Sequence, residues 1–270
     1  MKALKCVDVV IPVFNGRDTI RTALISVLAQ EHDWVHRIIV IDDGSSDDTA
    51  QVVQNLGSPL IELVRTSNQG VARARNLGFK KATAVWVAFL DADDVWMPGK
   101  LQAQIAAAQE HGASFVCGSV SKQSTMPSTL ISAKMLAGGN FVATSSVLVK
   151  RSVLEQIEPV FVPGMSFAED YLAWLKCVTL VPGYYLSAKL VEYELSELPR
   201  YRLGLILRSF VLLNVEYACF LRQLGVGRLK LMDLMWAVFL GSLRSYLSIT
   251  KRFFKSYCTN SKKVNSPLKH

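Results

Sequence analysis

Short runs of apolar residues alternate with amphipathic stretches along the first 120 residues of the chain. The six residues from Val85 to Leu90 are apolar without interruption, which is typical of a strand buried on both faces in a parallel sheet. Other apolar runs predict strands at residues 6–14, 36–41, 61–64 and 113–117, and helices are predicted between them at residues 18–31, 45–56, 71–81 and 99–111. This alternation predicts an α/β fold with a doubly wound parallel sheet and short connections.

Polar residues mark several of the predicted helix starts. Asp18 precedes the first helix, and Ser45 with Asp48 has the spacing of a capping box before the second. In the second half of the chain, residues 141–149 alternate apolar and small polar residues like a strand, residues 151–157 predict a short helix, and residues 167–176 begin a longer one. Glu169 and Asp170 lie in the first turn of that helix, where acidic side chains complement the helix dipole.

Polar clusters follow three of the predicted strands. The clusters are Asn15, then Asp42 with Asp43, then Asp91, Asp93 and Asp94. Because ligands of open α/β sheets bind at the carboxyl ends of the strands, we expect these clusters to form one nucleotide-sized crevice. Closely spaced carboxylates need a compensating cation, and oxygen ligands favour Mg²⁺ or Mn²⁺ completed by substrate phosphates. An isolated Asp-Ala-Asp-Asp is also compatible with a solvated acidic turn before a helix, so the other motifs decide between the two interpretations.

Several function classes lack their motifs in this chain. No Gly-x-Gly-x-x-Gly follows the first strand and no Gly-Lys-[Ser/Thr] loop is present, which disfavours dinucleotide and P-loop chemistry. The five cysteines are widely spaced and form no Cys-x-x-Cys pair, so they suggest neither a disulfide framework nor a zinc site and favour a reducing, cytoplasmic setting. Asp8, Pro12 and Asn15 interrupt the first apolar stretch, which is therefore not typical of a signal peptide. The four histidines lie away from the polar strand ends, and none is predicted to be catalytic.

The positive charge is concentrated in the last part of the chain. The net charge is +8, with 20 basic and 21 acidic residues in 1–221, but 10 basic residues and Asp233 as the single acid in 222–270. Residues 202–257 are apolar and favour helices, but their longest uncharged stretch, 234–243, is about half of the roughly 20 residues that a membrane span needs. We therefore expect no transmembrane helix.

The spacing within this tail predicts an amphipathic helix. One face carries Leu243, Leu247, Phe254 and Tyr257, and the adjoining face carries Arg244, Ser248, Lys251 and Lys255. Such a composition is typical of a helix that lies in a membrane interface. The alternative is that the tail packs on the rest of the chain or on a second subunit in a homodimer. Nucleic-acid binding is disfavoured, because the basic residues are interleaved with large apolar ones.

Four motifs in order resemble those of family 2 inverting glycosyltransferases, which have the GT-A fold. They are Val10-Ile11-Pro12-Val13-Phe14-Asn15, Asp42-Asp43-Gly44-Ser45, Asn68-x-Gly70 with Ala74-Arg75-Asn76-x-Gly78, and Asp91-Ala92-Asp93-Asp94. The resemblance covers roughly residues 6–195. It implies a Rossmann-like, mostly parallel sheet flanked by helices, with a C-terminal helical appendage. It also implies a GT-A catalytic domain at residues 1–198, with a nucleotide-sugar-binding half at 1–119 and an acceptor half at 120–198, followed by a basic amphipathic helical tail at 199–270.

The resemblance also implies roles for individual residues. The donor would contact Pro12, Val13, Phe14, Asn15, Asp43, Arg75, Asn76, Asp91 and Ala92. Among these, Asp43 would accept a hydrogen bond from the base, and Asp91 would lie near the ribose. Asp93 would bind the metal, with Asp94 beside it. Glu169-Asp170, followed by an aromatic residue and Trp-Leu, is similar to the Glu-Asp motif of the family, which makes Asp170 the general base and Glu169 its supporting neighbour.

The implied activity is transfer of a sugar from a nucleotide-sugar, most simply a UDP-sugar, to a hydroxyl of a lipid-linked saccharide in surface polysaccharide synthesis. Mn²⁺ or Mg²⁺ would assist, and the enzyme would lie in the cytoplasm, peripherally on the inner face of the cell membrane. A polyprenyl-phosphate glycosyltransferase is the alternative within the family. A sugar nucleotidyltransferase lacks its glycine-rich loop here, and a non-catalytic binding protein would be expected to have lost Asp93 or Asp170.

Overall fold

The computed structural model describes residues 5–30, 34–120, 126–165, 168–192, 203–227 and 231–241. The chain divides into two compact units. Unit 1 comprises Met1–Ala133 and Val142–Leu213, and unit 2 comprises Lys134–Phe141 and Asn214–His270. The predicted boundary between catalytic domain and tail, at residue 198, lies outside the described residues, and the predicted division at residue 119 remains a prediction.

Unit 1 is built on an eight-stranded sheet with a separate two-stranded ribbon. In chain order, the strands are β1 (Val7–Val13), β2 (Val35–Asp42), β3 (Ile61–Arg65), β4 (Trp86–Phe89), β5 (Val95–Trp96), β6 (Phe115–Ser119), β7 (Thr129–Ile131), β8 (Leu148–Lys150), β9 (Gly183–Lys189) and β10 (Val191–Glu192). The strand order in the large sheet is β3-β2-β1-β4-β8-β6-β9-β7, and β5 pairs with β10. The strand predicted from residues 85–90 therefore lies inside the sheet, beside β1.

The large sheet is mostly parallel. β1 is parallel to β2 and β4, β2 is parallel to β3, and β6 is parallel to β9. This arrangement confirms the predicted α/β class. Two strands run antiparallel to their neighbours: β8 lies between β4 and β6, and β7 pairs with β9.

Helices connect these strands and continue beyond them. They are α1 (Ile20–Leu28), α2 (Thr49–Gln54), α3 (Val71–Lys81), α4 (Lys100–Glu110), α5 (Ala133–Ala137), α6 (Arg151–Leu154), α7 (Glu169–Leu180) and α8 (Leu203–Gln223), and residues 231–241 are also helical. The bounds of α3 are those predicted. The predicted caps are wrong: α1 follows Thr19 rather than Asp18, and α2 follows Asp48 without a side-chain cap. Ser45 instead accepts a hydrogen bond from the Asn15 N–H at 2.8 Å, which ties together the loops after β1 and β2.

The prediction of a strand at residues 141–149 is also wrong for the first part of that range. Thr144–Ser146 form a 3₁₀ turn, and only Leu148–Lys150 form a strand. The Ser146 hydroxyl donates to the Ala143 carbonyl at 2.7 Å, and the Thr144 and Ser145 hydroxyls bond to side chains elsewhere in unit 1. Hydrogen bonds from small hydroxylated side chains to local and distant partners compete in this way with the backbone hydrogen bonds of a strand.

An aromatic cluster fixes α7 against the sheet. The fully buried Trp174 lies 5.6 Å from Phe89 of β4 and 5.5 Å from Phe161, between ring centroids. Phe89 and Phe161 also meet edge to face at 5.2 Å. Each such pair adds about 0.5–1.5 kcal/mol beyond the area that it buries. Because β4 leads into Asp91 and α7 begins at Glu169, this packing sets the distance between the two acidic motifs.

Unit 2 carries exposed apolar side chains on its helices. Val215 on α8 and Met232, Trp236 and Phe239 on the helix at residues 231–241 are exposed, and the rings of Trp236 and Phe239 stack with centroids 5.7 Å apart. Met232, Trp236 and Phe239 border an open groove of about 550 Å³ that Met235 also lines. None of the helices in the described part of the chain has both the length and the apolar composition needed to cross a bilayer. The amphipathic face predicted at Leu243, Leu247, Phe254 and Tyr257 lies outside the described residues.

Candidate active site

A cleft of about 690 Å³ lies at the carboxyl ends of β1 and β4. It contains eight of the predicted site residues: Pro12, Val13, Phe14, Asn15, Arg75, Asp91, Ala92 and Asp93. Gly16, Thr19 and Val71 complete the lining. Phe14 is 52% exposed, so its ring is not a core residue and is available to a ligand. The structure therefore brings the first and last of the four motifs together, as their positions at strand ends predict, and adds Arg75 of the third motif.

The loops after β1 and β2 are fixed to each other by hydrogen bonds. Asn15 has a left-handed backbone, with φ of 51°, and its side-chain oxygen accepts from the Ser46 N–H at 2.8 Å. Asp42 is fully buried and accepts from the Ser45 N–H at 2.8 Å and from Arg65 at 2.9 Å. Asp42 thus stabilises the loop after β2, and it does not line the cleft.

Asp43 is buried and orients the turn that leads into α3. Its carboxylate accepts from the backbone N–H groups of Gln69 at 2.9 Å and Gly70 at 2.7 Å, and from the Thr66 hydroxyl at 3.2 Å. Asp43 lines a second cavity, of about 380 Å³, together with Asn76. Gly44 has φ of +81°, and a Cβ there would lie 2.7 Å from the Asn68 nitrogen, so a glycine is required at this position for the close approach. Contact of Asp43 with a base remains a prediction.

Arg75 is a buried cation between the two acidic motifs. Its guanidinium donates to Asp91 at 2.6 Å and to Glu169 at 3.0 Å, and it lies 5.4 Å from the centre of the Phe161 ring. Burial alone would lower the pKa of this guanidinium, but Asp91, Glu169 and Asp170 outweigh burial and raise that pKa above the ordinary arginine value. Arg75 is therefore a permanent charge that joins the end of β4 to the start of α7.

Asn76 is engaged with the backbone of a distant segment. Its side-chain amide donates to the Phe161 carbonyl at 2.6 Å, and its oxygen accepts from the Phe161 N–H at 3.0 Å. These two bonds hold the ring of Phe161 beneath Arg75. Within the chain, the Asn76 side chain is bonded to the backbone of Phe161. Its contact with the donor remains a prediction.

The three aspartates after β4 occupy different environments. Asp91 pairs with Arg75, Asp93 is exposed on the cleft wall, and Asp94 is buried. The Ser145 hydroxyl donates to Asp94 at 2.5 Å and accepts from the Asp91 N–H at 3.0 Å. Burial raises the pKa of Asp94 to about 7, and the neighbouring Asp91 and Asp93 charges act in the same direction. Asp94 is therefore a structural acid of the turn.

Glu169 and Asp170 begin α7 with different partners. Glu169 pairs with Arg75, while Asp170 accepts from the Thr144 hydroxyl at 2.9 Å and from the Tyr171 N–H at 2.7 Å. Burial raises the pKa of both carboxyls; Asp170 adds to the rise at Glu169, and the charge of Arg75 opposes the rise at each. A raised pKa brings a carboxylate closer to the value that suits a general base near neutral pH.

The carboxylates of the cleft fit a hard divalent cation. Asp93 is exposed, and Asp91 is about one-third exposed while it pairs with Arg75, so both can present oxygen ligands to the cleft. Among the described residues, no group of three or more His, Cys, Asp or Glu side chains is arranged to hold a metal. Mg²⁺ and Mn²⁺ are commonly bound by one or two carboxylates with substrate phosphates, and the cleft matches that mode.

Thr144, Ser145 and Phe161 are neighbours of the predicted site residues that were not predicted from the sequence. They contact Asp170, Asp94 and Arg75, respectively. Only their close packing in the fold reveals them, because they lie far along the chain from most of their partners. Two of the histidines lie in the part of the chain that the structure describes, and they have other partners: His36 bonds to Asp8 at 2.8 Å, and His111 stacks on Tyr184.

The motifs and the cleft agree with the comparison to protein families. A family model described as Glycosyl transferase family 2 matches residues 8–165, which is more than half of the chain. The chain belongs to this family. It is therefore a glycosyltransferase, and its fold is of the GT-A type.

Curated relatives of this family 2 glycosyltransferase include both uncharacterised and named proteins. An uncharacterised glycosyltransferase of Nostoc is 34% identical over 173 residues, which are 57% of this chain and 53% of the relative. This chain thus spans about half the length of that relative. The UDP-Glc:alpha-D-GlcNAc-diphosphoundecaprenol beta-1,3-glucosyltransferase WfgD of Escherichia coli is 31% identical over 179 residues, covering 63% of this chain and 68% of WfgD.

Solved structures share the fold of this glycosyltransferase. S. aureus TarS 1-349 in complex with UDP-GlcNAc superposes with a TM-score of 0.66 at 20% identity, over 78% of this chain and 66% of that TarS chain. The mannosyltransferase PcManGT from Pyrobaculum calidifontis, in complex with GDP-Man and Mn²⁺, gives a TM-score of 0.63 at 18% identity, over 94% of this chain and 80% of PcManGT.

Proposed function

We propose that this enzyme moves a sugar from a UDP-sugar to a hydroxyl of a lipid-linked saccharide, with inversion, in surface polysaccharide synthesis. The observation that carries the proposal is the continuous contact from the cleft wall through Asp91 and Arg75 to Glu169, beside Asp170. This contact couples the acidic edge of the cleft to a partly buried carboxylate that can take a proton. The Escherichia coli relative, by its name, uses UDP-glucose and a diphosphoundecaprenol-linked GlcNAc, which supports this choice of donor and acceptor.

Donor binding is assigned to the cleft at the ends of β1 and β4. The exposed Phe14 ring offers a stacking surface for a base, while Pro12, Val13 and Asn15 shape the wall beside it. Asp43 and Asn76 are assigned to the same ligand through the second cavity, which both of them line. The carboxylate of Asp91 and the backbone of Ala92 lie where the ribose and phosphates would continue the donor.

Mn²⁺ or Mg²⁺ is assigned to Asp93, with Asp94 holding the turn in place. The exposed Asp93 carboxylate would bind the ion, and the ion would neutralise charge on the departing diphosphate. PcManGT, which has the same fold, was solved with Mn²⁺, which supports a divalent ion. The buried Asp94–Ser145 bond keeps the backbone of the turn fixed, so that Asp93 stays directed at the cleft.

Asp170 is assigned as the general base. The acceptor hydroxyl must lose a proton as it attacks the anomeric carbon, and a positioned carboxylate typically accelerates such a step by roughly 10²- to 10⁴-fold. Glu169 is the less suitable candidate of the two, because its carboxylate is paired with the permanent charge of Arg75. A single displacement with one base inverts the anomeric centre.

The tail supports a location on the cytoplasmic face of the membrane. Residues 222–270 carry 10 basic residues against one acid, and the exposed Met232, Trp236 and Phe239 offer apolar contact. Basic and aromatic residues together favour an anionic lipid interface. A homodimer that covers the same side chains is the competing proposal, and a polyprenyl-phosphate acceptor is the competing substrate.

The test of this function is transfer by purified protein and by the Asp170→Asn variant. Wild type with Mn²⁺, a panel of UDP-sugars and a diphosphoprenyl-linked GlcNAc acceptor should form a product whose anomeric configuration, measured by NMR, is opposite to that of the donor. Asp170→Asn should bind the donor with unchanged affinity and lose transfer, because an amide cannot accept the proton.

Glu169→Gln is the control, and it should keep measurable transfer. Near wild-type transfer by Asp170→Asn with none by Glu169→Gln would assign the base to Glu169 instead. Transfer to a bare prenyl phosphate, with none to the saccharide, would favour the polyprenyl-phosphate alternative.

A further inference from the structure

The hydroxyl of Thr144 contacts the carboxylate of Asp170 from a different part of the chain. Thr144 Oγ1 donates to Asp170 Oδ2 at 2.9 Å, although 26 residues separate the two. The other carboxylate oxygen, Oδ1, accepts from the Tyr171 N–H at 2.7 Å. Thr144 is only 4% exposed, so water does not readily replace its hydroxyl in this contact. One side-chain donor and one backbone donor thus hold the two oxygens of Asp170.

The turn that carries Thr144 is held from several sides. The Val147 N–H donates to the Thr144 carbonyl at 3.0 Å and closes the turn. The Trp96 indole donates to the Ser145 carbonyl at 2.9 Å, and the Gln104 amide donates to the Ser146 carbonyl at 2.8 Å. Thr144 is therefore presented to Asp170 by a rigid backbone, and its hydroxyl does not depend on a mobile loop.

We propose that Thr144 is a positioning residue for the transfer reaction, whose hydroxyl orients the Asp170 carboxylate toward the acceptor and favours its ionised form. This inference rests on the proposed function, in which Asp170 takes the proton of the acceptor hydroxyl. Thr144 does not contact the reacting atoms itself. Its effect passes through Asp170.

The charged groups around Asp170 set the direction of the expected effect. Arg75 from α3 favours the ionised carboxylate, whereas Asp91 after β4 opposes it, and Glu169 of α7 is the adjacent acid. The hydrogen bond from Thr144 also favours the ionised form, and removing it should raise the pKa of Asp170 further above its ordinary value. Because the base must be deprotonated, the acid limb of the pH profile should move to higher pH.

The experiment compares Thr144→Val, Thr144→Ser and Ser146→Ala in the full chain. Thr144→Val keeps the shape but removes the hydroxyl, and its acid limb in kcat/KM for the acceptor should move upward by about one pH unit. At pH values below the acid limb, kcat/KM of Thr144→Val should be about tenfold lower than that of wild type, and this difference should shrink at pH values above the limb. Thr144→Ser keeps a donor and should restore the wild-type limb.

Ser146→Ala is the matched control in the same turn, because the Ser146 hydroxyl donates to the Ala143 carbonyl and not to Asp170. The acid limb of its pH profile should lie at the same pH as that of wild type. Donor affinity and the melting temperature, measured for each variant, should stay near wild type, and Thr144→Ala provides a second test if Thr144→Val does not fold.

A uniform loss of rate by Thr144→Val at every pH, or an unchanged profile, would overturn the inference while leaving the proposed function intact if Asp170→Asn is inactive. Transfer by Asp170→Asn at the wild-type rate would overturn the base assignment itself. The two failures are therefore distinguishable.

Discussion

Asp91, Asp93 and Asp94 are separated by at most three positions, but their side chains do different work. Asp91 is paired with a buried cation, Asp94 is a buried acid bonded to Ser145, and Asp93 is exposed to the cleft. A motif in the sequence identifies the group of carboxylates. Their individual environments depend on Arg75 and Ser145, which other segments supply.

Replacement of Asp93 by Ala should therefore affect metal-dependent binding and not the fold. An exposed carboxylate carries little packing, so the free energy of unfolding should change by less than about 0.5 kcal/mol. The affinity for a UDP-sugar in the presence of Mn²⁺, measured by calorimetry, should fall by about tenfold or more, toward the affinity measured with a chelator. Asp18→Ala, at another exposed aspartate, is the control and should bind as wild type does. Equal Mn²⁺-dependent affinity in Asp93→Ala and wild type would show that the ion is not bound there.

The positions of the predicted residues can be deduced from the sequence where strand ends alone decide them. Pro12, Phe14, Asn15, Asp91 and Asp93 line one cleft because parallel strands end at one edge. The sequence did not reveal that Asn76 bonds to the Phe161 backbone, since no local pattern encodes a partner 85 positions away.

At the scale of elements, α3 shows how well local signals work when packing agrees with them. The helix has the predicted bounds, and Gly78 within it faces β1. A Cβ on Gly78 would lie 2.3 Å from Val10 Cγ1, so the glycine allows α3 to approach the sheet. That approach brings Arg75, one turn earlier, to Asp91 and Glu169.

The variant Gly78→Ala should thus destabilise the protein, although alanine is the better helix former. We expect a loss of about 1–3 kcal/mol in the free energy of unfolding, because the new methyl group must displace Val10. Chemical denaturation checks this value. Gly227→Ala is the control, since a Cβ there meets nothing within 4 Å.

A second substitution makes the cause explicit. Val10→Ala removes the clashing methyl group, so the double variant Val10→Ala, Gly78→Ala should be more stable than the sum of the single losses predicts. Simple additivity would mean that the contact does not cause the destabilisation.

The turn at Thr144–Ser146 shows where element prediction fails. Alternating apolar and small polar residues satisfy the pattern of a strand, but each hydroxyl here has a partner that draws the backbone into a turn. Two of those partners, Asp94 and Asp170, are site residues. A functional requirement at the site therefore overrides the local preference of the segment.

At the scale of the whole molecule, charge and exposed apolar surface distinguish the C-terminal part of the chain. If it contacts anionic lipid, full-length protein should sediment with phosphatidylglycerol vesicles at low salt and be partly released at high salt. Each basic residue near such a surface contributes about 1 kcal/mol, so three or four would give several kcal/mol. Phosphatidylcholine vesicles should bind less protein.

The apolar part of this binding can be tested separately. Replacing Met232, Trp236 and Phe239 together by Gln should remove the salt-resistant fraction, because these exposed side chains supply the apolar contact. Val85→Gln, at an exposed valine of unit 1, is the control and should sediment as wild type does. Absence of sedimentation at low salt, together with concentration-dependent self-association, would favour the homodimer instead.

Arg75 is the only cation among the described residues that line the cleft, and Asp91 and Glu169 already share it. A nucleoside diphosphate adds several negative charges to a cavity whose wall is acidic. The acidic wall would therefore repel a bare nucleotide and accept one that arrives with its own counter-ion. Under the proposed function, occupancy should follow the concentration of the ion–nucleotide pair, so that the supply of divalent cation would control the enzyme as directly as the supply of sugar donor.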